Sequence, residues 1–542
     1  MSVSRPSGQR PSVTMIAAEC KGIAKVGGLG DVVYDLANAL HAQGVPVRIV
    51  MPAYGSARFP AGPATDLAVP FAGRTVHARV LRTKAGNVDV FGIASAEFFD
   101  GPYARVYVDS SAAGKGPFED DAARFAFFGA AAAEMAGTFP EFASTTVYHC
   151  HDWHAAAFML LARTRDTGAF PGNARFLLTI HNLDYQGLRP FEPYPGDQGL
   201  GTFAGWFPGL RDQMASSDVL SAATDPTHAG CFNPMRTAIQ LADQVNTVSP
   251  TYATEITLPD DPARNFVGGR GLQSDLAAAA AAGRLSGILN GIDYKEHDPA
   301  ALDPPFDAGQ PLWWKAKATH KRQVLADLCA RGQSQEIVGS PDSREVFVHA
   351  PLAVCVTRLA AQKVSLLTHR IESGRCVLEE LATLPIRIVI LGTGELQGDV
   401  ASVCKSSPGV NCHLIPAFDP KLARALYAAG DLFLMPSDFE PCGISQMIAM
   451  RHGTVPIAAA VGGLVDTIRH GEDGFLFAGT SRDDAARKFL FAVREALFLL
   501  RSNPDAWRKL QESAMARRFT WEESAARYLA LYSAPVRTGR GA

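Results

Sequence analysis

The sequence predicts an α/β protein with two doubly wound parallel sheets, each part of a Rossmann-like domain, facing each other across a cleft. Two observations predict this architecture. Apolar runs typical of buried strands alternate with helix-like stretches along most of the 542 residues, as parallel sheets covered by helices on both faces require. The alternation pauses between about Asp293 and Val346, which indicates that one domain ends and another begins there.

The predicted strands are short and apolar along their whole length, as expected for strands buried on both faces. A region rich in Gly, Pro and Phe at 187–227 shows no clear period, so we expect an insertion near the cleft and treat it as a candidate lid. Helical stretches, such as the one that begins at Asp120, separate the strands. The strands are predicted at residues 13–19, 47–54, 88–94, 145–150, 175–182, 285–293, 352–359, 386–394, 431–437 and 455–459.

These patterns divide the chain into five expected segments. A polar, proline-containing start at 1–12 is expected to be a disordered tail. The first domain is expected at 13–295 and the second at 346–517, joined by a linker at 296–345 that contains one helix. A helical segment at 518–542 completes the chain.

Composition excludes several classes of protein. The formal net charge of -3 gives no indication of a nucleic-acid or membrane-surface binder. No apolar run reaches the ~18 residues of a membrane span, and the N-terminus lacks the apolar core of a secretory signal. The 9 cysteines are scattered without CxxC pairs, which favours reduced thiols in a cytoplasmic protein and argues against zinc. We expect neither a metal nor a cofactor.

A lysine and three glycines stand directly before an amphipathic helix in KVGGLGDVVYDLANAL, Lys25 to Leu40. The preceding strand makes this a strand, glycine turn and helix, so backbone N–H groups point out of a positively polarised helix end. Glycines let an anionic group approach those N–H groups. This stretch alone is compatible with a phosphate site completed by Lys25 and with an ordinary βα turn.

Polar residues gather where the predicted strands end, which in open α/β sheets is the edge that binds ligands. Taken singly they are weak signals, because a GxG turn or a histidine after a strand is common. Together they predict one site. They are Asp152 and His154 of HDWH, His181, Asn182, Asn290, Asp293, Arg358, Lys363, Gly392, Gly394, Glu440, Cys442, Gly443, Gly462 and Gly463.

The chemistry of this set favours an activated sugar. Arg358 and Lys363 offer a planar fork and a mobile point charge, a pairing suited to a diphosphate. Glycine turns at 27–28, 392–394 and 462–463 would bring backbone amides to the same anion. Carboxylates and imidazoles, namely Asp152, Glu440, His154 and His181, suit the hydroxyls of a sugar ring.

At these residues the chain resembles the bacterial glycogen synthase and plant starch synthase family. The resemblance runs in order from about Met15 to the tail FTWEESAARYLALY at 519–532. It implies a GT-B fold and transfer of glucose from ADP-glucose to the 4-hydroxyl of an α-1,4-glucan end, with retention of configuration. It also implies that the first domain holds the acceptor, the second holds the sugar nucleotide, and the C-terminal helix returns to the first. The motifs are KVGGLGDV, HDWH, TIHNLDYQG, FNPMRTAIQLADQVNTVSPTYATEI, LSGILNGID, TRLAAQK, FEPCGISQ and GGLVDTI.

The resemblance assigns roles to matching positions. The residues implied in catalysis are Asp152, His181, Arg358, Lys363 and Glu440. The residues implied in binding the sugar nucleotide are Lys25, Gly27, Gly28, Asn182, Asn290, Gly392, Gly394, Cys442, Gly443, Gly462 and Gly463. Lys25 and its glycines would meet the sugar nucleotide when the domains close, which favours the phosphate interpretation of that turn.

Four positions depart from the family pattern. Val364 stands where the family has glycine, Val461 where it has threonine, and Ser445 keeps a hydroxyl in a changed EPCG motif. HDP at 297–299 replaces the usual Trp-x-Pro. These changes bear on donor affinity, base preference and rate, but they remove no key charged group.

Several alternatives stay open at this stage. Retention can proceed by two displacements on a carboxylate or by front-side attack, which we favour. The donor can be UDP-glucose or GDP-glucose, and the acceptor can be a small molecule such as glucose 1-phosphate. A glucan-binding protein without catalysis is the alternative from another class. In that protein Trp313 and Trp314 would stack on sugar, although a buried helix start fits them better. The sequence predicts no oligomeric state.

Overall fold

The computed structural model describes residues 10–57, 59–60, 62–108, 119–164, 174–195, 197, 199–215, 217–333, 337–339, 350–406 and 411–534. Most of the predicted disordered tail falls on residues 1–9 and lies outside these. Pro11 and Ser12, which were expected in that tail, are buried. The Ser12 backbone N–H donates to Thr146 Oγ1 at 3.0 Å, so the ordered chain begins before the first strand.

The first large sheet has a parallel centre and an antiparallel edge. Its strand order is β11-β10-β7-β6-β1-β2-β5-β4-β3, with β3 and β4 antiparallel. A small pair, β8 and β9, lies outside it. The strands are β1 Val13–Ile16, β2 Val47–Pro52, β3 Thr65–Phe71, β4 Arg74–Ala85, β5 Val88–Ala94, β6 Val147–His151, β7 Arg175–Ile180, β8 Arg189–Pro190, β9 Cys231–Phe232, β10 Gln244–Thr247 and β11 Leu285–Gly287.

The second large sheet is parallel throughout, in the order β14-β13-β12-β15-β16-β17. Its strands are almost entirely buried, because helices cover both faces. They are β12 Leu352–Val356, β13 Arg387–Leu391, β14 Cys412–Ile415, β15 Leu432–Met435, β16 Val455–Ala459 and β17 Phe475–Phe477.

Helices fill the connections between strands. The alanine-rich α2 packs closely on α3, since a Cβ added at Gly129 would lie 2.6 Å from the Phe158 backbone nitrogen. The helices are α1 Gly28–Ala42, α2 Glu119–Thr138, α3 Ala156–Thr164, α4 Phe203–Trp206, α5 Leu210–Met214, α6 Asp218–Ala223, α7 Pro234–Leu241, α8 Pro250–Glu255, α9 Gln273–Ala281, α10 Trp313–Gln333, α11 Ala361–Thr368, α12 Val377–Leu381, α13 Gln397–Ser406, α14 Pro420–Ala429, α15 Ser445–Arg451, α16 Gly463–Thr467, α17 Arg482–Ser502, α18 Pro504–Ala516 and α19 Trp521–Ser533.

The pause in the pattern contains the long helix α10, at whose start Trp313 is buried and donates from Nε1 to Glu512. The candidate lid at 187–227 contains the short helices α4, α5 and α6 and the strand β8. In the part of the chain that the structure describes, no helix is long and apolar enough to cross a bilayer.

The chain passes between the two sheets at two places that lie side by side. The Ile292 backbone N–H donates to Phe519 O at 2.9 Å, and the Phe519 N–H donates to Tyr294 Oη at 2.8 Å. A Cβ at Gly291 would lie 2.5 Å from the Trp521 nitrogen, so glycine permits this close approach. Beyond the second crossing α19 packs into the core of the first sheet. We call the half around the first sheet the N-lobe and the half around the second the C-lobe.

Candidate active site

Arg358 lies at the carboxyl end of β12 beside the predicted GxG turn. The turn packs on that strand end, because a Cβ at Gly392 would lie 1.8 Å from Thr357 O and one at Gly394 would lie 2.6 Å from Leu359 O. The Arg358 side chain is exposed, and it makes no hydrogen bond or ion pair with any residue that the structure describes. This guanidinium is therefore available to an anion.

Lys363 and Glu440 form an ion pair in the C-lobe. Lys363 lies in the first turn of α11, and its Nζ contacts Glu440 Oε2. Glu440 follows β15 and is buried, and its carboxylate also accepts a hydrogen bond from Ser437 Oγ at 3.2 Å. The pair places a cation and a carboxylate, both predicted from sequence, at the same edge of the sheet as Arg358.

The glycine loop of residues 462–463 packs directly on Glu440. The Gly463 N–H donates to Glu440 O at 3.0 Å, and a Cβ at Gly462 would lie 2.0 Å from the same oxygen. The Gly462 N–H donates to Glu255 Oε1 at 2.9 Å. The sequence predicted that these two amides would be open to an anion. In this structure both have acceptors within the protein: Gly463 donates within the C-lobe, and Gly462 donates to the N-lobe because the lobes are in contact there.

Cys442, Gly443 and Asn290 meet where the lobes touch. Gly443 has φ +72, a left-handed conformation that favours glycine. The Cys442 thiol is buried, and burial raises its pKa to about 12 although the backbone N–H of Asn290 faces it. The Asn290 side chain is also buried, and its Oδ1 has no partner among the described residues. A neutral thiol of this kind is a packing group rather than a nucleophile.

The glycine turn before α1 is occupied by a carboxylate. Glu19 Oε2 accepts from the N–H groups of Val26 at 2.6 Å and Gly27 at 2.8 Å. Lys25 Nζ donates to Asp31 Oδ1 at 2.6 Å. The turn therefore presents its N–H groups to an anion, which here is Glu19 of the same chain. The contact with a sugar nucleotide expected from the sequence stays a prediction. A Cβ added at Gly28 would lie 4.0 Å from Ile444 Cδ1 of the C-lobe, so the turn faces the other lobe.

Asp152 and His181 lie together at the carboxyl ends of β6 and β7. Asp152 Oδ1 accepts from the His181 backbone N–H at 2.7 Å. Burial raises the pKa of the Asp152 carboxyl to about 7, although hydrogen bonds from the backbone N–H groups of His181 and Asn182 act to lower it. Asp152 has φ +54, a strained conformation for a residue other than glycine, of the kind that clusters at functional sites. Asn182 Oδ1 accepts from the Asp184 N–H at 3.0 Å.

A cluster of histidines surrounds this pair. His151 Nδ1 lies 3.0 Å from His181 Nε2, and His149 Nδ1 lies 2.9 Å from Tyr532 Oη of α19. The His154 Nε2 lies 3.1 Å from Tyr107 Oη, which in turn donates to Glu19. The orientation of the His181 ring is thus set by neighbours that reach the C-terminal helix.

Comparison with known proteins agrees with this geometry. The family profile described as starch synthase catalytic domain matches residues 12–278, and the profile described as glycosyl transferases group 1 matches residues 350–495. A glycogen synthase of Desulfitobacterium hafniense is 33% identical over 539 residues, covering 96% of this chain and 98% of that protein. The chain belongs to the glycogen synthase and starch synthase family.

Other members of the family and one related fold support the assignment. Glycogen synthase 2 of Geobacter sulfurreducens is 33% identical over 544 residues, covering 98% of this chain and 100% of that protein. The catalytic domain of starch synthase IV from Arabidopsis thaliana, solved with ADP and acarbose, matches with a TM-score of 0.77 at 28% identity, covering 97% and 99%. Sucrose-phosphate synthase from Thermosynechococcus elongatus, at 17% identity and TM-score 0.54 over 96% and 98%, shares the fold. The predicted family and the GT-B fold are confirmed, and the protein is a glycosyltransferase.

Sequence reasoning missed the partners that this family member supplies from within. Glu19 accepts hydrogen bonds from the glycine turn before α1, and Glu255 accepts one from the glycine loop at 462–463. His151 contacts the ring of His181. For Glu19 a signal existed, since a carboxylate directly after a buried strand needs a partner. Glu255 gave none, because its partner lies 207 positions away. The sequence analysis also did not single out Phe418, whose side chain is 88% exposed. It follows β14, whose Ile415 carbonyl accepts the Gly392 N–H at 3.1 Å.

The histidine cluster predicts how stability depends on pH. Burial lowers the pKa of His149, His154 and His181 to about 3 each, and that of His151 well below its usual value. The unfolded chain binds these protons below about pH 6.5 and the folded chain does not. We therefore expect the free energy of unfolding to rise as pH is raised from about 5 to about 6.5, measured by urea unfolding.

Four carboxyls among the described residues act in the opposite direction. Burial raises the pKa of Asp35, Asp152 and Glu255 to about 7 each and also raises that of Asp121, so the folded chain keeps protons that the unfolded chain loses near pH 4. They are fewer than the buried histidines, since His413 and His452 also have lowered pKa values. The carboxyls should weaken the rise without reversing it. A free energy that is constant or falls over this range would contradict the prediction.

Proposed function

We propose that this protein transfers glucose from ADP-glucose to the 4-hydroxyl at the non-reducing end of an α-1,4-glucan, with retention of configuration. The observation that carries the proposal is Arg358, which pairs with no described residue, beside the Lys363–Glu440 pair at one sheet edge. The proposal assigns the sugar nucleotide to residues 346–517 and the acceptor to residues 13–295. Starch synthase IV of Arabidopsis thaliana, a family member solved with ADP and acarbose, supports a nucleotide and a glucan-like molecule as ligands of this fold.

The proposed chemistry follows from the leaving group. Breaking the bond from C1 to a diphosphate builds negative charge on phosphate oxygens, which Arg358 and Lys363 would stabilise by about 3–4 kcal/mol each. Lys363 must then exchange part of its contact with Glu440 for a phosphate oxygen. Glu440 would be left to accept hydrogen bonds from sugar hydroxyls. Both cations lie on the C-lobe, so donor binding would precede closure against the N-lobe.

Front-side attack is the form of retention that we propose. Two displacements need a carboxylate that is free to attack C1. Asp152 already accepts the His181 N–H, and Glu440 accepts from Ser437 and keeps part of its contact with Lys363. In front-side attack the acceptor hydroxyl approaches on the side of the departing diphosphate, and a phosphate oxygen takes its proton. The His181 carbonyl would face the positive charge that develops on the ring.

Incubation with labelled sugar nucleotides tests the proposed function. The protein is mixed with glycogen and radiolabelled ADP-glucose, UDP-glucose or GDP-glucose, and label in polymer is counted. Incorporation from ADP-glucose alone is the expected result. Incorporation from another donor, or only into a small acceptor such as glucose 1-phosphate, would replace this proposal by the corresponding transferase. Glycogen binding without incorporation from any donor would favour a glucan-binding protein.

Phe418 is proposed to stack on the base of the donor. It is exposed beyond the carboxyl end of β14, beside the strand that carries the GxG turn. Stacking of a base on an aromatic ring is worth about 1–2 kcal/mol here, so Phe418→Ala should raise the KM for ADP-glucose by roughly 5- to 30-fold and leave the KM for glycogen unchanged. Initial-rate kinetics with each substrate varied in turn measure this.

Phe491→Ala is the matched control. Phe491 is 66% exposed on α17, so its removal is as harmless to folding as that of Phe418. Its KM for ADP-glucose should equal that of the unchanged protein. Equal values for the two variants would exclude stacking on Phe418.

A further inference from the structure

Helix α8 and the residue before it bind two segments of the opposite lobe, the loop that contains Pro441 and the segment of Gly462 and α16. Ser249 Oγ donates to Pro441 O at 2.6 Å. The backbone N–H and Oγ1 of Thr251 donate to the two carboxylate oxygens of Asp466, each at 2.9 Å. Glu255 Oε1 accepts from the Gly462 N–H at 2.9 Å. Four hydrogen bonds therefore join one turn and a half of N-lobe helix to the loops that surround Glu440.

The same helix braces the N-lobe part of the site. Tyr252 is buried, and its Oη accepts from the Leu183 N–H at 3.2 Å. Leu183 is two residues beyond His181. Helix α8 thus contacts the loop that carries His181 and Asn182 on one side and the C-lobe loops on the other.

A short chain of contacts leads from Glu255 to the catalytic ion pair. Gly462 precedes α16, so the Glu255 carboxylate lies at the positive end of that helix. The next residue, Gly463, donates its N–H to Glu440 O at 3.0 Å, and the Glu440 side chain holds Lys363. A Cβ added at Gly462 would lie 2.0 Å from Glu440 O, so the loop packs directly on the backbone of Glu440.

We propose that Glu255 is a positioning residue that fixes the glycine loop, and through it Glu440 and Lys363, only when the two lobes are in contact. The C-lobe pair is then completed by a helix of the N-lobe, so the transfer chemistry is coupled to closure. This inference rests on the proposed function only for the catalytic role of the pair. The mechanical link from Glu255 to Glu440 is independent of which sugar is transferred.

Three variants of α8 test the inference. Glu255→Ala removes the acceptor of the Gly462 N–H and should lower kcat by about tenfold, as small misplacements of reacting groups do, with the donor KM changed less than about threefold. Glu255→Gln keeps an acceptor oxygen and should restore most of kcat. Thr254→Ala is the matched control, because Thr254 is exposed on the same helix and, among the described residues, its hydroxyl donates only to Pro250 O. Its kcat should be unchanged.

A cycle with Lys363→Met separates positioning from general loss of structure. If Glu255 acts through Glu440 and Lys363, Glu255→Ala should cost little further kcat in the Lys363→Met background. If it acts elsewhere, the two losses multiply, which would overturn the proposal. A lower donor KM with unchanged kcat in Glu255→Ala would also overturn it, because Glu255 would then merely compete with the donor phosphate for the Gly462 amide.

Hydrogen exchange tests the link without turnover. In Glu255→Ala, backbone exchange of residues 437–446 and 461–467 should be roughly tenfold faster than in Thr254→Ala, whatever donor the protein uses. Unchanged exchange in both segments would overturn the inference even if ADP-glucose is confirmed as donor. Faster exchange there in a protein that incorporates no glucose would overturn the proposed function and keep the link.

Discussion

Replacing Lys363 by methionine is expected to lower kcat by about 10²- to 10³-fold, the loss found when one preorganised group that stabilises transition-state charge is removed. The reason is that methionine lacks Nζ, so the contacts of this ammonium with the diphosphate and with Glu440 are both removed. Initial rates of glucose incorporation from ADP-glucose into glycogen measure the loss. Binding to glycogen, measured by affinity electrophoresis, should be unchanged, because no polymer contact is assigned to this lysine.

Two companion variants sharpen this result. Arg358→Ala should give a similar loss of kcat without any effect on folding, since the exposed Arg358 has no partner among the residues that the structure describes. Lys321→Met is the matched control. Lys321 pairs with Asp431 at 2.6 Å at the amino end of β15, the opposite edge of the sheet, and its kcat should stay within about threefold of the unchanged protein. A Lys363→Met variant with normal kcat would exclude the proposed role of the ion pair.

Replacing Arg124 by methionine is expected to lower the free energy of unfolding by about 3–5 kcal/mol, as breaking a buried ion pair does. Arg124 is buried in α2 and donates to Asp121 Oδ1 at 2.6 Å. It also donates to four backbone carbonyls, those of Phe98, Tyr103, Arg105 and Val106. Methionine leaves Asp121 uncompensated and these carbonyls without their donor. Urea unfolding near neutral pH measures the change.

The controls for Arg124 distinguish charge from geometry. Arg124→Lys keeps the charge but lacks the planar fork, so it should lose an intermediate amount. Arg79→Met, on the exposed side of β4, should change the free energy by less than about 0.5 kcal/mol. Equal stability of Arg124→Met and Arg79→Met would show that the buried guanidinium contributes nothing to this fold.

Strands composed mainly of apolar residues were predictable, two of them with correct bounds. Residues 88–94 and 455–459 form β5 and β16 as predicted. The hairpin of β3 and β4 was not predicted, because its strands alternate between buried and exposed residues. Such strands bury one face only, and a search for continuous apolar runs passes over them. The antiparallel edge of the first sheet follows from that alternation.

The sequence predicts residues for the candidate site but not the partners that these residues have in the structure. Motif spacing identified Arg358, Lys363 and Glu440, since the carboxyl ends of parallel strands converge at one edge. It could not identify which carboxylates would occupy the glycine turns, because Glu19 and Glu255 reach them only through the packing of loops and lobes. The roles assigned to single residues stay predictions, to be tested by the variants above.

The paired crossings have a consequence for watching this protein move. Ser12, near the start of the described residues, and the last helix, α19, both attach to the N-lobe. The C-lobe is therefore joined to the N-lobe by two adjacent chain crossings. Fluorophores placed near Ser12 and on α19 would therefore keep a constant separation if the C-lobe moves relative to the N-lobe. A dye pair that reports this motion needs one dye on the C-lobe, for example on α17, where Phe498 is exposed to solvent.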